Sequence, residues 1–179
     1  DQNVMIVSGL AYGIDAIAHK SAVKNQLKTV GVLAHGLDQI YPPENAGLAK
    51  DMIKHGGGLI TEFRSNTKPD KHNFPTRNRI VAGMSDATIV IETGIKGGSM
   101  ITAELANSYN KDVFALPGRV TDNKNAGCNY LIKNNKAVMF TDAADLIQTM
   151  NWEDKAKSRK DKRSQRELFI ELTTDEKIL

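Results

Sequence analysis

VMIVSGLAYGIDAIAH, residues 4–19, decides how the rest of the chain is read. Its first four residues are apolar and mostly β-branched, as in a strand covered on both faces. Gly9 and Gly13 then allow a tight turn. Residues 13–26 follow with Ile14, Ile17, Ala18, Ala22 and Val23 near one face of a helix. A strand, a glycine turn and an amphipathic helix in direct succession are the first half of a βαβ unit.

Five more short apolar runs repeat the theme: TVGVLA (29–34), GLIT (58–61), ATIVIE (87–92), VFALP (113–117) and AVMF (137–140). Helical patterns separate them, over 43–55, from Asn73–Pro75 onward, and over 99–110, 127–134 and 142–150. The second of the six helices starts on Pro43 and stops on Gly56–Gly58, in keeping with proline at a helix start and glycine after its end. The rhythm predicts an α/β fold: a doubly wound, mostly parallel sheet with helices on both faces. Ligands of such sheets sit beyond the carboxyl ends of the strands, so the loops after the strands are where a site is expected.

The chain has 179 residues, 40% hydrophobic and 25% charged, enough for one domain with a sizeable core. Cys128 stands alone, which excludes an internal disulfide and suits a reducing compartment. No apolar run is long enough to cross a bilayer and no start resembles a signal peptide, so a cytoplasmic protein without a membrane partner is expected. The sequence starts at Asp1 directly before a strand pattern, as a fragment of a longer protein would. Residues 1–150 carry 16 Lys and Arg against 14 Asp and Glu, so bulk charge argues little for nucleic acid and local clustering must decide. Residues 151–166 carry seven basic against three acidic side chains and read as a basic linker. Residues 167–179 regain apolar content and read as the start of a further module.

Two of the loops stand out. After the third strand, KHNFPTRNRIVAG (71–83) crowds Lys71, Phe74, Arg77, Asn78 and Arg79 around a helix start. Cations neutralise phosphates and an aromatic face beside them stacks a base, a combination suited to single-stranded nucleic acid. Phe74 could equally plug the core, and at least one arginine is expected to tie the loop down through carbonyls or Asp86. After the fourth strand, Gly97, Gly98 and Ser99 open a helix whose free amides make a nest for one phosphate, with Lys96 and the hydroxyl of Thr102 nearby. The turn through Gly9 and Gly13 offers similar amides, though taken alone it reads as a packing turn. Asp15 and His19, four apart, read as a local pair. The four histidines show no ligand spacing and neither loop is a dinucleotide or Walker motif, so no metal and no cofactor are expected.

Taken in order, SGLAYGIDAIAH, TVGVLAHGLDQIYPPEN, GGGLITEF, FPTRNRIVAG, TGIKGGSMITAELA, FALPGRV and AGCNYLI resemble the DNA-processing protein A family (DprA, also called Smf) across residues 4–147. The resemblance implies an extended Rossmann-like domain that binds single-stranded DNA, forms a homodimer and loads RecA in natural transformation. It implies a DNA pocket built from Lys71, Phe74, Arg77, Asn78 and Arg79, lined by the turns at Gly9–Gly13 and Lys96–Thr102. It also implies an upstream strand with a Gly-Ser-Arg turn before residue 1, and a winged-helix module beginning within 167–179. GGSMITAE is similar as well to the loop of lysine-decarboxylase-like phosphoribohydrolases, in which Glu104 would be the acid. An enzyme on a nucleotide, or a nucleotide-sensing module, is therefore the alternative to a non-enzymatic binder.

Overall fold

The computed structural model describes residues 4–152. Six strands alternate with six helices: β1 (Ile6–Ser8), α1 (Ile14–Lys24), β2 (Thr29–Val32), α2 (Ala46–Lys54), β3 (Gly58–Ile60), α3 (Asn73–Met84), β4 (Ala87–Val90), α4 (Gly98–Ser108), β5 (Asp112–Ala115), α5 (Ala126–Lys133), β6 (Val138–Met139) and α6 (Ala143–Thr149). Every strand and helix read from the sequence is present. The helix expected over 43–55 begins as a 3-10 turn, Pro43–Asn45, before α2. The basic linker and the further module expected over 151–179 lie almost wholly outside the described residues.

All strand pairs are parallel, as βαβ connections require. They form two three-stranded sheets, β1-β2-β3 and β4-β5-β6, instead of one continuous sheet. Each has its own core. Leu10, Ala16, Leu33, Leu48, Ala49 and Met52 pack under α1 and α2. Val90, Met100, Ala103, Ala106, Val113, Ala115, Cys128 and Leu131 pack in the second half. Ala82 of α3 belongs to that second core, while α3 also touches β1 and β2. This helix therefore spans the two halves.

The helix ends follow their residues. Gly56, with φ 78°, takes the left-handed turn that stops α2, and the Gly57 amide donates back to the Met52 carbonyl at 2.9 Å. Asp142 caps α6 by accepting from the amides of Ala144 and Asp145. The Cys128 thiol is fully buried beside the Val90 carbonyl, and burial pushes its pKa up.

Candidate functional site

The loops at the carboxyl ends of β1, β2 and β3 are fastened to one another by side chains. Arg77 is the fastener. It is only 5% exposed. Its Nη1 donates to the Gly9 carbonyl at 2.8 Å and to the Val32 carbonyl, at the ends of β1 and β2. Burial pushes its pKa down, and nearby Asp15 opposes that. A Cβ on Gly9 would lie 2.5–2.7 Å from the guanidinium, so glycine is the residue that lets the arginine in. Asp15 holds the other side of the same turn, accepting from the amides of Gly9 at 2.9 Å and Ala11 at 3.2 Å. Those two amides are thus engaged within the fold. Gly13, exposed and at φ 78°, precedes α1 without a side-chain cap.

Two asparagines complete the stitching. Asn45 Nδ2 donates to the Leu10 and Ala11 carbonyls, and Asn73 Nδ2 donates to the Ala34 carbonyl at 3.2 Å. The first holds the 3-10 turn against the β1 loop; the second seats the start of α3 on the end of β2. His19 does not pair with Asp15 as its spacing suggested. Its Nδ1 meets Thr29 Oγ1 at 2.6 Å, because α1 turns the ring inward onto β2. Its Nε2 is buried without a partner, and desolvation lowers its pKa.

The second half-sheet has an open rim. The Gly97 amide donates to the Gly94 carbonyl at 2.9 Å and so is engaged. The exposed Gly98 and Ser99 follow as the first residues of α4, which has no side-chain cap. Their amides have no acceptor among the described residues. Nothing stands within 4 Å of a Cβ built on Gly98, so a side chain there would meet no neighbour. Thr102 is half-buried one turn further on. Lys96 is exposed, and among the described residues it makes no ion pair. Asn78 joins the two rims: it accepts from Arg77 Nε at 3.1 Å and donates from Nδ2 to the Gly98 carbonyl at 3.4 Å. The arginine-rich element and the glycine turn, far apart in sequence, therefore meet in one place.

The remaining candidates divide by exposure. Lys71 is exposed and has no ion pair among the described residues. Phe74 is half-buried and lies against Tyr41, ring centroids 6.1 Å apart at a tilt of 40°. Arg79 points away from Arg77 and pairs with Glu62 on the surface. So one arginine of the pair is structural, through carbonyls, as expected. Asn129 bonds both the amide and the carbonyl of Gly118, which holds the β5–α5 loop to itself. Glu104, midway along α4, pairs with Lys136 at 2.7 Å. No cluster of three His, Cys, Asp or Glu side chains with metal-binding geometry occurs among the described residues. Sequence reasoning missed Asp15 as an anchor of the β1 loop, and it missed Tyr12 and Tyr41, whose solitary positions in polar loops gave no periodic signal.

Comparison with known proteins places this geometry. A family model described as DNA recombination-mediator protein A matches residues 1–151. Protein Smf of Escherichia coli is 37% identical over 151 residues, 84% of this chain and 40% of that protein. The DNA processing protein DprA of Streptococcus pneumoniae is 40% identical over 147 residues, 82% of this chain and 51% of that protein. The chain thus spans about half the length, or less, of these curated relatives. The crystal structure of the pneumococcal protein matches with a TM-score of 0.75 at 39% identity, over 82% of this chain and 52% of that one. DNA processing protein A of Helicobacter pylori, whose structure concerns its single-stranded DNA binding mode, matches with a TM-score of 0.74 at 33% identity, over 82% of this chain and 66% of that one.

Proposed function

The chain belongs to the DNA recombination-mediator protein A family, and from that premise we propose that it binds single-stranded DNA along the joined rims and passes it to RecA during natural transformation. The observation that carries this reading is the bridge from Arg77 through Asn78 to Gly98. It joins α3, which follows Lys71 and carries Phe74, to the start of α4 after Lys96, and neither lysine has an ion pair among the described residues. Lys71 and Lys96 neutralise phosphates, the amides of Gly98 and Ser99 take a phosphate oxygen, and Phe74 stacks a base. Arg77 holds the pocket's shape, and Arg79 reaches phosphate by exchanging its pairing with Glu62.

The site acts by binding and not by catalysis. Glu104, the acid a phosphoribohydrolase would use, is engaged by Lys136 at 2.7 Å. The resemblance to the family adds a homodimer in the cytoplasm to this reading; no helix of the described residues is long and apolar enough to cross a membrane.

Fluorescence anisotropy of labelled dT oligomers and of matched duplex tests the reading. The chain binds the single strand in preference, binding weakens as salt rises, and a Lys71→Ala/Phe74→Ala variant loses most of it while its circular dichroism is unchanged. Equal affinity for mononucleotides and oligomers would instead favour a nucleotide sensor. RecA transfer is read by adding RecA to the bound strand and following displacement of the label.

A further inference from the structure

Three aromatic rings stand on the rim of the first half-sheet, two from strand-end loops and one from the first turn of α3. Tyr12 follows β1, Tyr41 follows β2 and Phe74 follows β3. Tyr12 is 61% exposed and Tyr41 43%, and none of the three belongs to either hydrophobic core. A single exposed ring is ordinary, but three from neighbouring strand ends offer flat apolar faces side by side.

These rings are also held in place. The Tyr12 hydroxyl donates to Glu44 Oε2 at 2.6 Å, and Glu44 sits in the 3-10 turn that starts just after Tyr41 and Pro42. Asn45, the next residue, clamps the same turn to the Leu10 and Ala11 carbonyls beside Tyr12. Tyr41 in turn leans on Phe74 at 6.1 Å. The bond to Glu44 pushes the Tyr12 phenol up to about 12, with Tyr41 close enough to add to the rise. The row therefore runs Tyr12, Tyr41, Phe74, and a hydrogen bond fixes its outer ring.

The charge beside the row indicates what it takes. Glu44 puts a carboxylate next to Tyr12, which repels phosphate. The lysines and free amides lie at Lys71 and Lys96–Ser99. A polyanion crossing this edge is held by its backbone on the lysine side and offers its bases to the ring side. We propose that Tyr12 and Tyr41 extend Phe74 into a track of three faces on which successive bases of the single strand stack. The proposal deepens the reading of the preceding subsection and rests on it.

The test compares Tyr12→Leu, Tyr41→Leu and Tyr12→Phe with the parent chain. The probes are a dT oligomer of about twelve nucleotides and an abasic oligomer of equal length, which keeps the phosphates and lacks bases. Each leucine variant should weaken dT binding about fivefold or more, the loss of one stacked base. Tyr12→Phe, which keeps the ring and loses only the bond that fixes it, should lose less dT affinity than Tyr12→Leu. Affinity for the abasic oligomer should be the same in all four. Unchanged dT affinity in the leucine variants overturns the track and leaves single-strand binding standing. Equal losses on both oligomers also overturn it, since the rings would then serve the backbone or the fold. A parent chain that binds neither oligomer overturns the binding reading and the track with it. Tyr12 is exposed, so its variants keep the fold; should Tyr41→Leu melt early, Tyr41→Trp replaces it, and weaker dT binding by that variant than by the parent overturns the share of Tyr41.

Discussion

The two half-sheets end in opposite ways. At the first, buried and half-buried side chains tie the strand-end loops together: Arg77 on two carbonyls, Asp15 on two amides, Asn45 and Asn73 on three more carbonyls. At the second, the Gly98 and Ser99 amides that open α4 have no acceptor among the described residues. One rim is closed on itself and gives shape; the other is left unsatisfied and gives attraction. The same residue type can therefore do opposite work on the two sides, and substitutions separate stability from binding.

The largest effect belongs to the clasp. Arg77→Met strands the Gly9 and Val32 carbonyls, and urea unfolding should show a loss of about 3 kcal/mol. A loss under about 1 kcal/mol would erase the distinction between the rims. Next comes a pair of identical changes. Gly9→Ala pushes a methyl into the Arg77 guanidinium and should cost about 1–2 kcal/mol. Gly98→Ala meets nothing and should leave the melting temperature unchanged, yet it crowds the phosphate nest and should weaken binding of dT oligomers.

Acid should find the first half before the second. His19, buried on the first half-sheet, has its pKa lowered by desolvation. The unfolded chain then binds the proton more readily, so the stabilisation is complete above about pH 6.5 and is lost as pH falls from there towards the folded value. Unfolding free energies from urea titrations between pH 7 and pH 5 should fall by up to about 1.4 kcal/mol per pH unit in this window, and a His19→Asn variant should flatten the slope. Hydrogen exchange should show α1 and β2 opening first.

Lys96→Ala acts on binding alone: about fivefold weaker affinity, a salt dependence shallower by about 0.7 in slope, and unfolding unchanged within about 0.5 kcal/mol. Smallest is Glu62→Gln. Exposed ion pairs are worth about 0–1 kcal/mol, so unfolding should hardly move while freed Arg79 tightens oligomer binding slightly.

Secondary structure was legible because each strand is a short apolar run and each helix start or stop is marked by glycine, proline or an amphipathic stripe. Gly56 and Pro43 fell where a local rule puts them. The division into two sheets was not legible, since which strand edges hydrogen-bond is a long-range matter that periodicity does not encode. The strands were also read too long: β4 leaves its ladder at Val90 although Ile91 and Glu92 continue the pattern. At the site, residue types were readable and partners were not. Nothing local distinguishes Arg77 from Arg79. Only the fold shows that one turns onto Gly9, many residues away, and the other onto Glu62. The tyrosines escaped notice for a similar reason, being single residues in loops that only the fold lines up.

Cys128 makes the protein its own clock. The sole thiol in the chain is sealed in the second core with a raised pKa, so an alkylating reagent meets neither an accessible sulfur nor a ready thiolate in the closed state. Labelling then proceeds at the pace at which α5 lifts from β4. Followed by mass with and without oligonucleotide, that pace reads how far a strand lying across the open rim slows the breathing of the half beneath it.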